Sequence, residues 1–282
     1  PKRRQRRQLP RMVASSTSPI TPTQQSEFEQ LGYCVIPDLY TPAEVAEIEA
    51  FFESYKRNGQ AVYDENLRFE EMDKTKQQVR AMHPHRYSKQ VERWGLNSRV
   101  VDVLTVLLGR SPLLAQTMYY FKPPGAKGQG MHQDNFYLLA KPASCIAAWT
   151  AVDDATIKNG CLQVVAGSQR DDIHCPSSDA GTWQHYGDSH IRPFPAEAKP
   201  VPLEVPRGAT VFFGGHLIHG SGPNRSATRS RRTFISHYVD DAVGQVAEYF
   251  HPLLDRAGNV VSGVGAPTEG GPCGDGWRGA AH

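Results

Sequence analysis

His132 and Asp134 stand two residues apart in the run Met131-His132-Gln133-Asp134. On an extended chain that spacing sends both side chains out of one face, so a single strand end can offer an imidazole and a carboxylate to a metal. A third ligand must come from elsewhere. His219 suits best, because it follows the apolar stretch Thr210 to Phe213 and precedes the turn Gly220-Ser221-Gly222-Pro223-Asn224. The rival His216 stands before two apolar residues and lacks that glycine and serine turn. Two imidazoles and one carboxylate on one side of a metal leave positions open, the arrangement of non-haem iron(II) enzymes that bind a co-substrate and oxygen together. Structural zinc sites fill their four positions.

Arg229, Arg231 and Arg232 cluster just before another apolar stretch. A guanidinium presents a planar fork that matches a carboxylate, whereas lysine supplies charge without that geometry. One of these arginines can therefore hold the distal carboxylate of 2-oxoglutarate. Arg229 reads as a solvated turn residue. Counting back from Thr233 to Tyr238 favours Arg231, and Arg232 stays open because a slip of one residue reverses the face.

These residues need elements to hold them. A helix is expected from about Thr23, carrying Phe28 and Leu31 and stopping at Gly32, followed by a short strand Tyr33 to Ile36. Thr41, Pro42 and Glu44 mark the start of a second helix, with Val45, Ile48, Phe51, Phe52 and Tyr55 at helical spacing. Ser98 to Leu108 predicts a third, ended by Gly109. Between them, Arg57 to Tyr87 is polar and weakly periodic, a lid or a surface excursion. Short apolar or alternating runs then recur at Leu113 to Phe121, Cys145 to Val152, Cys161 to Val165, Val201 to Val205, Thr210 to Phe213 and Arg232 to Val239. That rhythm predicts an antiparallel sandwich or barrel.

With 282 residues, 39% of them hydrophobic, the chain has enough apolar mass for one large core and one active site. It has no apolar run of membrane-spanning length. The net charge of +2 hides an asymmetry, because Lys2, Arg3, Arg4, Arg6, Arg7 and Arg11 crowd the start and leave the body mildly acidic. Such a Pro- and Ser-flanked arm is expected to be a solvated tail rather than a nucleic-acid grip. Its composition is equally that of an organelle transit peptide. Five scattered cysteines, Cys34, Cys145, Cys161, Cys175 and Cys273, show no disulfide framework and suggest a reducing cytoplasm.

From Met118 to Tyr238 the chain resembles the phytanoyl-CoA dioxygenase-like branch of the iron(II)/2-oxoglutarate oxygenases. The ordered matches are Met118-Tyr-Tyr-Phe-Lys-Pro-Pro124, His132-Gln-Asp134, Ala148-Trp149-Thr150-Ala151, Asn159-Gly-Cys-Leu162, Ala166-Gly-Ser168, and His219-Gly-Ser-Gly-Pro-Asn224 with Arg231. The resemblance implies a mainly β fold with flanking helices, a double-stranded β-helix of the jelly-roll, cupin-like kind. It implies iron(II) on His132, Asp134 and His219, with Arg231 and Ser221 gripping the far carboxylate of 2-oxoglutarate. Met118, Gln133 and Trp149 would line the same pocket. One departure stands out: the family arginine usually lies eleven residues beyond the distal histidine, where this chain has Ser230, and Arg231 follows it.

The organisation expected is a disordered basic tail over 1–22, one oxygenase domain over 23–255 with its β core at about 113–239, and a glycine-rich tail over 256–282. The activity expected is hydroxylation of an unactivated C–H in a small molecule, with succinate and carbon dioxide formed, oxygen consumed and ascorbate as a stimulant. Asp134 argues against halogenation, which needs the carboxylate ligand replaced. The rivals are a cupin-like metal hydrolase or isomerase, and a non-catalytic binding protein. His83 and His85 could touch substrate although paired loop histidines are more often exposed. His237 should be a buried polar neighbour of the pocket, and Lys122 and Gln116 could approach the co-substrate. Tyr119 reads as core. The oligomeric state and primary substrate are open.

Overall fold

Thr21 and Thr41 each begin a helix by the same device. The hydroxyl of Thr21 accepts from the backbone N–H of Gln24, and that of Thr41 from Glu44, while the Gln24 and Glu44 side chains reach back to the capping N–H. Two of the donors left over at each helix start thus find acceptors. Pro22 and Pro42 occupy the first helical position, where a missing N–H costs nothing.

This computed structural model describes residues 18–54, 56–57, 60–61, 69–72, 78–175, 199–268 and 271–274. The basic arm before residue 18, Tyr55, parts of the Arg57 to Tyr87 excursion, residues 176–198 and the end of the glycine-rich tail lie outside the described residues. The elements in chain order are α1 (Pro22–Leu31), β1 (Tyr33–Ile36), α2 (Pro42–Glu53), β2 (Lys56–Arg57), β3 (Gln60–Ala61), β4 (Phe69–Met72), β5 (Gln78–Met82), α3 (Lys89–Gly95) and α4 (Ser98–Leu108). Then follow β6 (Pro112–Phe121), β7 (Gln129–His132), α5 (Asn135–Leu138), β8 (Ile146–Ala151), β9 (Leu162–Val164), β10 (Val201–Leu203), β11 (Thr210–Gly214), β12 (His219–Ser221) and β13 (Thr233–Asp240).

A seven-stranded sheet has the order β1-β11-β8-β13-β6-β5-β4, and a four-stranded sheet has the order β10-β9-β12-β7. Every pair within both is antiparallel. The two sheets face each other as a jelly roll, the double-stranded β-helix implied by the resemblance. Period-two alternation then sorts the long strands. Phe234 and Tyr238 of β13, with Tyr119 and Phe121 of β6, point away from the small sheet, into a core made with Val45, Ile48 and Phe52 of α2, Trp94 of α3 and Leu104 of α4. The Phe52 and Tyr119 rings stack there at 4.0 Å. Burying each such side chain contributes about 1.5–3 kcal/mol, so this face anchors the large sheet.

On the opposite face Met118, Trp149, Val211 and Ile235 meet Leu162 and Val164 of the small sheet. A third cluster closes one end, where Phe136, Tyr137 and Leu138 of α5 pack with Val239, Phe250 and Leu253, and Val261 and Val264 of the glycine-rich tail lie against it. The described part of that tail therefore wraps the body. Cys175 and Cys273 are joined in a disulfide across 98 residues. The five scattered cysteines showed no disulfide framework, and spacing in sequence carried no sign of this one bond because the two meet only once the tail has wrapped. Among the described residues no helix is long and apolar enough to cross a membrane.

The long strands appear where the apolar runs predict them. Outside the predicted runs lie α3, α5, the β2–β3 and β4–β5 pairs inside the supposed lid, and the short strands β7 and β12.

Candidate functional site

Gln129-Gly-Met-His132 and His219-Gly-Ser221 have too little apolar alternation to announce strands, yet they pair with each other. His132 and His219 are direct cross-strand partners, and their ring centroids lie 4.2 Å apart. Glycine permits the approach: a Cβ on Gly220 would stand 2.8 Å from the Gln129 carbonyl oxygen, and one on Gly160 would stand 2.4 Å from that of Gly222. Neither contact is tolerable for a side chain.

Asp134 is not on the strand. It sits just past β7 in a helical conformation, φ −62° and ψ −37°, at the start of α5. The shared face therefore comes from a turn rather than from two positions of one strand, which corrects the extended-chain argument. Its Oδ1 is 3.7 Å from Nε2 of His132 and 3.4 Å from Nε2 of His219. One ligand atom from each of the three residues falls within 4.8 Å of the other two, and all three residues are buried. No other group of three or more His, Cys, Asp or Glu among the described residues is so placed.

The imidazoles are oriented by their own strands. Nδ1 of His132 donates to the Gly130 carbonyl oxygen at 2.8 Å, and Nδ1 of His219 to that of Leu217 at 2.9 Å. Each bond places the proton on Nδ1 and turns the Nε2 lone pair to the centre, as outer hydrogen bonds do for metal-bound histidines. Asp134 is steadied likewise, its Oδ2 lying 3.1 Å from Nε2 of His237. This donor set, two neutral nitrogens and one carboxylate oxygen, suits a divalent iron-class cation and leaves positions open. His216 takes no part, for its Nδ1 is 3.2 Å from the Asp171 carbonyl oxygen and its Nε2 faces the Asn135 amide.

The floor of the pocket is legible in the register. One row across the large sheet runs Gln116, His237, Ala147, Phe213; the next runs Met82, Met118, Ile235, Trp149, Val211; the third runs Arg80, Tyr120, Thr233, Ala151. The first row carries the bond to Asp134, the second is apolar and the third is polar and basic. Arg231 enters beside the third row. Its backbone N–H donates to the Lys122 carbonyl oxygen at 2.9 Å, its Nη1 to Thr233 Oγ1 at 3.1 Å, and its guanidinium carbon lies 5.5 Å from the Trp149 ring centroid. It is 4% exposed, its Nε has no acceptor, and burial holds it down at about 10. Arg232 points the other way, bonded to both oxygens of Asp153 and paired with Glu49 and Glu53.

Ser221 is buried on β12, with its Oγ 2.8 Å from Lys122 Nζ. Met118 and Trp149 share the apolar row. Gln133 does not converge with them: its amide is engaged by the carbonyl oxygens of His216 and Asp172 and by the N–H of His174. It braces the segments around His216 and His174 instead. His83 and His85 are buried rather than exposed. Nε2 of His83 is 3.3 Å from the Gln116 amide nitrogen, and Nδ1 of His85 is 2.9 Å from Thr117 Oγ1. Burial pushes them down to about 2 and about 3, so both are neutral. Arg80, bonded to the Tyr120 hydroxyl at 3.1 Å, was hidden in a segment read as a lid. The alternation of Arg80 with Met82 was the available signal.

The sequence profile described as phytanoyl-CoA dioxygenase matches residues 28–233. Phytanoyl-CoA dioxygenase 1 of Oryza sativa subsp. japonica is 33% identical over 157 residues, 55% of this chain and 55% of that protein. A protein of Stutzerimonas stutzeri named probable alpha-ketoglutarate-dependent hypophosphite dioxygenase is 26% identical over 233 residues, 78% of this chain and 79% of its own. The chain spans about half the length of the first curated relatives it matches. Among solved structures, the non-heme alpha ketoglutarate dependent carbocyclase SnoK from nogalamycin biosynthesis superposes with a TM-score of 0.66 at 19% identity, covering 81% of this chain and 88% of that one. At that identity the likeness shows a common fold.

Proposed function

The chain belongs to the phytanoyl-CoA dioxygenase family, and from that premise we propose that it is an iron(II) and 2-oxoglutarate dependent dioxygenase that oxidises a small molecule. The observation that carries the reading is the convergence of His132 Nε2, His219 Nε2 and Asp134 Oδ1 on one buried point. Bound iron(II) would supply the oxygen chemistry, in which 2-oxoglutarate loses carbon dioxide to give succinate and one oxygen atom passes to the substrate.

The protein's share is positional. His132 and His219 offer Nε2 because their Nδ1–H groups are engaged, and Asp134 offers Oδ1 because His237 holds Oδ2. Arg231 and Ser221 are assigned the far carboxylate of 2-oxoglutarate, a role supported by a buried guanidinium that has no carboxylate within 4 Å among the described residues. Arg232 is not assigned it, since three acids already occupy its guanidinium. Met118, Ile235 and Trp149 form the dry wall between that end and the metal. Gln133 is given a bracing role.

The primary substrate is a small molecule, and the family name is not carried over to it as an acyl-CoA. Compartment is no part of the reading, because the cysteine argument for the cytoplasm falls with the Cys175–Cys273 bond.

Succinate release from protein supplied with iron(II), ascorbate and 2-oxoglutarate tests the proposal, beside an Asp134→Ala control. Slow decarboxylation needs no known substrate, so succinate from the parent alone is expected. Its absence from both, with iron bound, would favour a cupin-like hydrolase or isomerase.

A further inference from the structure

Lys122 and Arg231 lie together at the basic end of the pocket, and among the described residues no acid pairs with either. Lys122 is 1% exposed and Arg231 4%, and among the described residues neither has a carboxylate within 4 Å. The Lys122 amine is ringed by uncharged acceptors: Ser221 Oγ at 2.8 Å, the Gly222 carbonyl oxygen, and the Gly160 carbonyl oxygen at 3.5 Å. Two like charges buried side by side cost far more than these neutral contacts return. Arginine keeps its proton in such a place and lysine gives it up.

We propose that Lys122 takes up a proton when the far carboxylate of 2-oxoglutarate enters the pocket, and that the ammonium so formed turns the Ser221 hydroxyl toward that carboxylate. The proposal rests on the 2-oxoglutarate reading above and adds a proton-coupled positioning residue to it.

The hydrogen bonds balance in both states. A neutral amine has two N–H donors and one lone pair, which match the two carbonyl oxygens and the Ser221 O–H. After a proton arrives from solvent, all three N–H groups donate, to the carbonyl oxygens of Gly222 and Gly160 and to Ser221 Oγ. The Ser221 proton is thereby released to donate to the carboxylate, and Lys122 offsets the incoming negative charge without a new ion pair at the surface.

The titratable groups that face Lys122 are Arg231, from the segment before β13, and the Cys161 thiol, from the residue before β9. Burial pushes that thiol up, so it stays protonated and supplies no negative charge. The strand β12 presents only Ser221 and, just past it, Gly222. Desolvation first and Arg231 second bring Lys122 down to about 5, in line with a neutral amine before ligand arrives.

Calorimetric titration of the manganese(II)-loaded protein with 2-oxoglutarate, at pH near 7.5 in buffers of different ionisation enthalpy, reads the proton count directly. Uptake of about one proton per ligand is expected. Pyruvate, which can chelate the metal but lacks the far carboxylate, should bind with no uptake. Lys122→Met should abolish uptake and weaken 2-oxoglutarate by about 10-fold to 100-fold, while Lys122→Arg, permanently charged, should bind it with no uptake. Binding of 2-oxoglutarate by the parent without proton uptake, or undiminished uptake by Lys122→Met, would overturn this inference alone. No binding of either ketoacid to metal-loaded protein would overturn the oxygenase reading as well.

Discussion

Arg231 and Arg232 are adjacent in sequence and opposite in surroundings, so exchanging each for methionine should separate two roles by sign. Arg232 donates through Nε at 2.8 Å and Nη2 at 2.5 Å to the two oxygens of Asp153, and lies 2.7 Å from Glu49 and 2.9 Å from Glu53. Its side chain is 16% exposed and that of Asp153 17%. The network therefore sits between exposed pairs, worth about 0–1 kcal/mol, and buried ones, whose breaking costs about 3–5 kcal/mol. Arg232→Met should cost about 2–3 kcal/mol, a fall in Tm of about 5–10 °C for a domain of this size. For Arg231 the expectation reverses. Methionine keeps apolar contact with Trp149 and removes a buried charge with no acid beside it, so the ligand-free Tm should hold or rise. The loss appears in 2-oxoglutarate binding: hydrogen bonds to a charged partner are worth about 1.5–3 kcal/mol, a rise in Kd of about 10-fold to 150-fold. Thermal melts and titration of manganese-loaded protein read both quantities. If Arg232→Met weakened 2-oxoglutarate more than Arg231→Met did, or if Arg231→Met melted 5–10 °C low, the assignment from side-chain direction would be refuted.

Three further outcomes follow from contacts already described. His237→Phe should weaken metal binding by about 10-fold to 100-fold through loss of the bond to Asp134 Oδ2, with partial recovery in His237→Gln; cobalt(II) titration with unchanged affinity and spectrum in both would remove His237 from the site. His83 and His85 are held neutral at about 2 and about 3 against an unfolded value near 6.5. Because the unfolded chain binds more protons in that window, their stabilisation is complete above about pH 6.5 and declines as pH falls. The ligand-free Tm should therefore drop between about pH 7 and 5, and His83→Gln with His85→Gln should flatten that slope; an unaltered slope would place the acid sensitivity elsewhere. Reduction of the Cys175–Cys273 bond should lower the Tm of the parent and leave that of Cys273→Ser unmoved, which melts with and without dithiothreitol would decide.

Much of the architecture was legible because the long strands must alternate. In β13, Phe234 and Tyr238 go to the helices while Thr233, Ile235 and His237 go to the pocket, and period two in the sequence declares as much. The capping threonines and prolines of α1 and α2 were equally plain. A strand end was expected at His132, but the extent of β7 and its pairing with β12 were not legible, for a physical reason. The two strands are four and three residues long, each with one glycine, and exist because a neighbouring strand supplies their hydrogen bonds rather than because their side chains prefer a sheet.

By itself, then, the sequence determined the chemical parts of this protein: two imidazoles and a carboxylate in ordered motifs, an arginine cluster ahead of an apolar strand, and enough alternating segments to build two sheets around them. Tertiary structure alone decided which parts meet. It put Asp134 in a turn rather than on the strand, chose the inward guanidinium of Arg231 over that of Arg232 by one step of register, buried His83 and His85, set His237 on Asp134 and Lys122 on Ser221, and brought Cys175 to Cys273. Each of those outcomes depends on a contact between residues distant in sequence, and local patterns of hydrophobicity and turn residues carry no information about which distant partner a polar side chain will find.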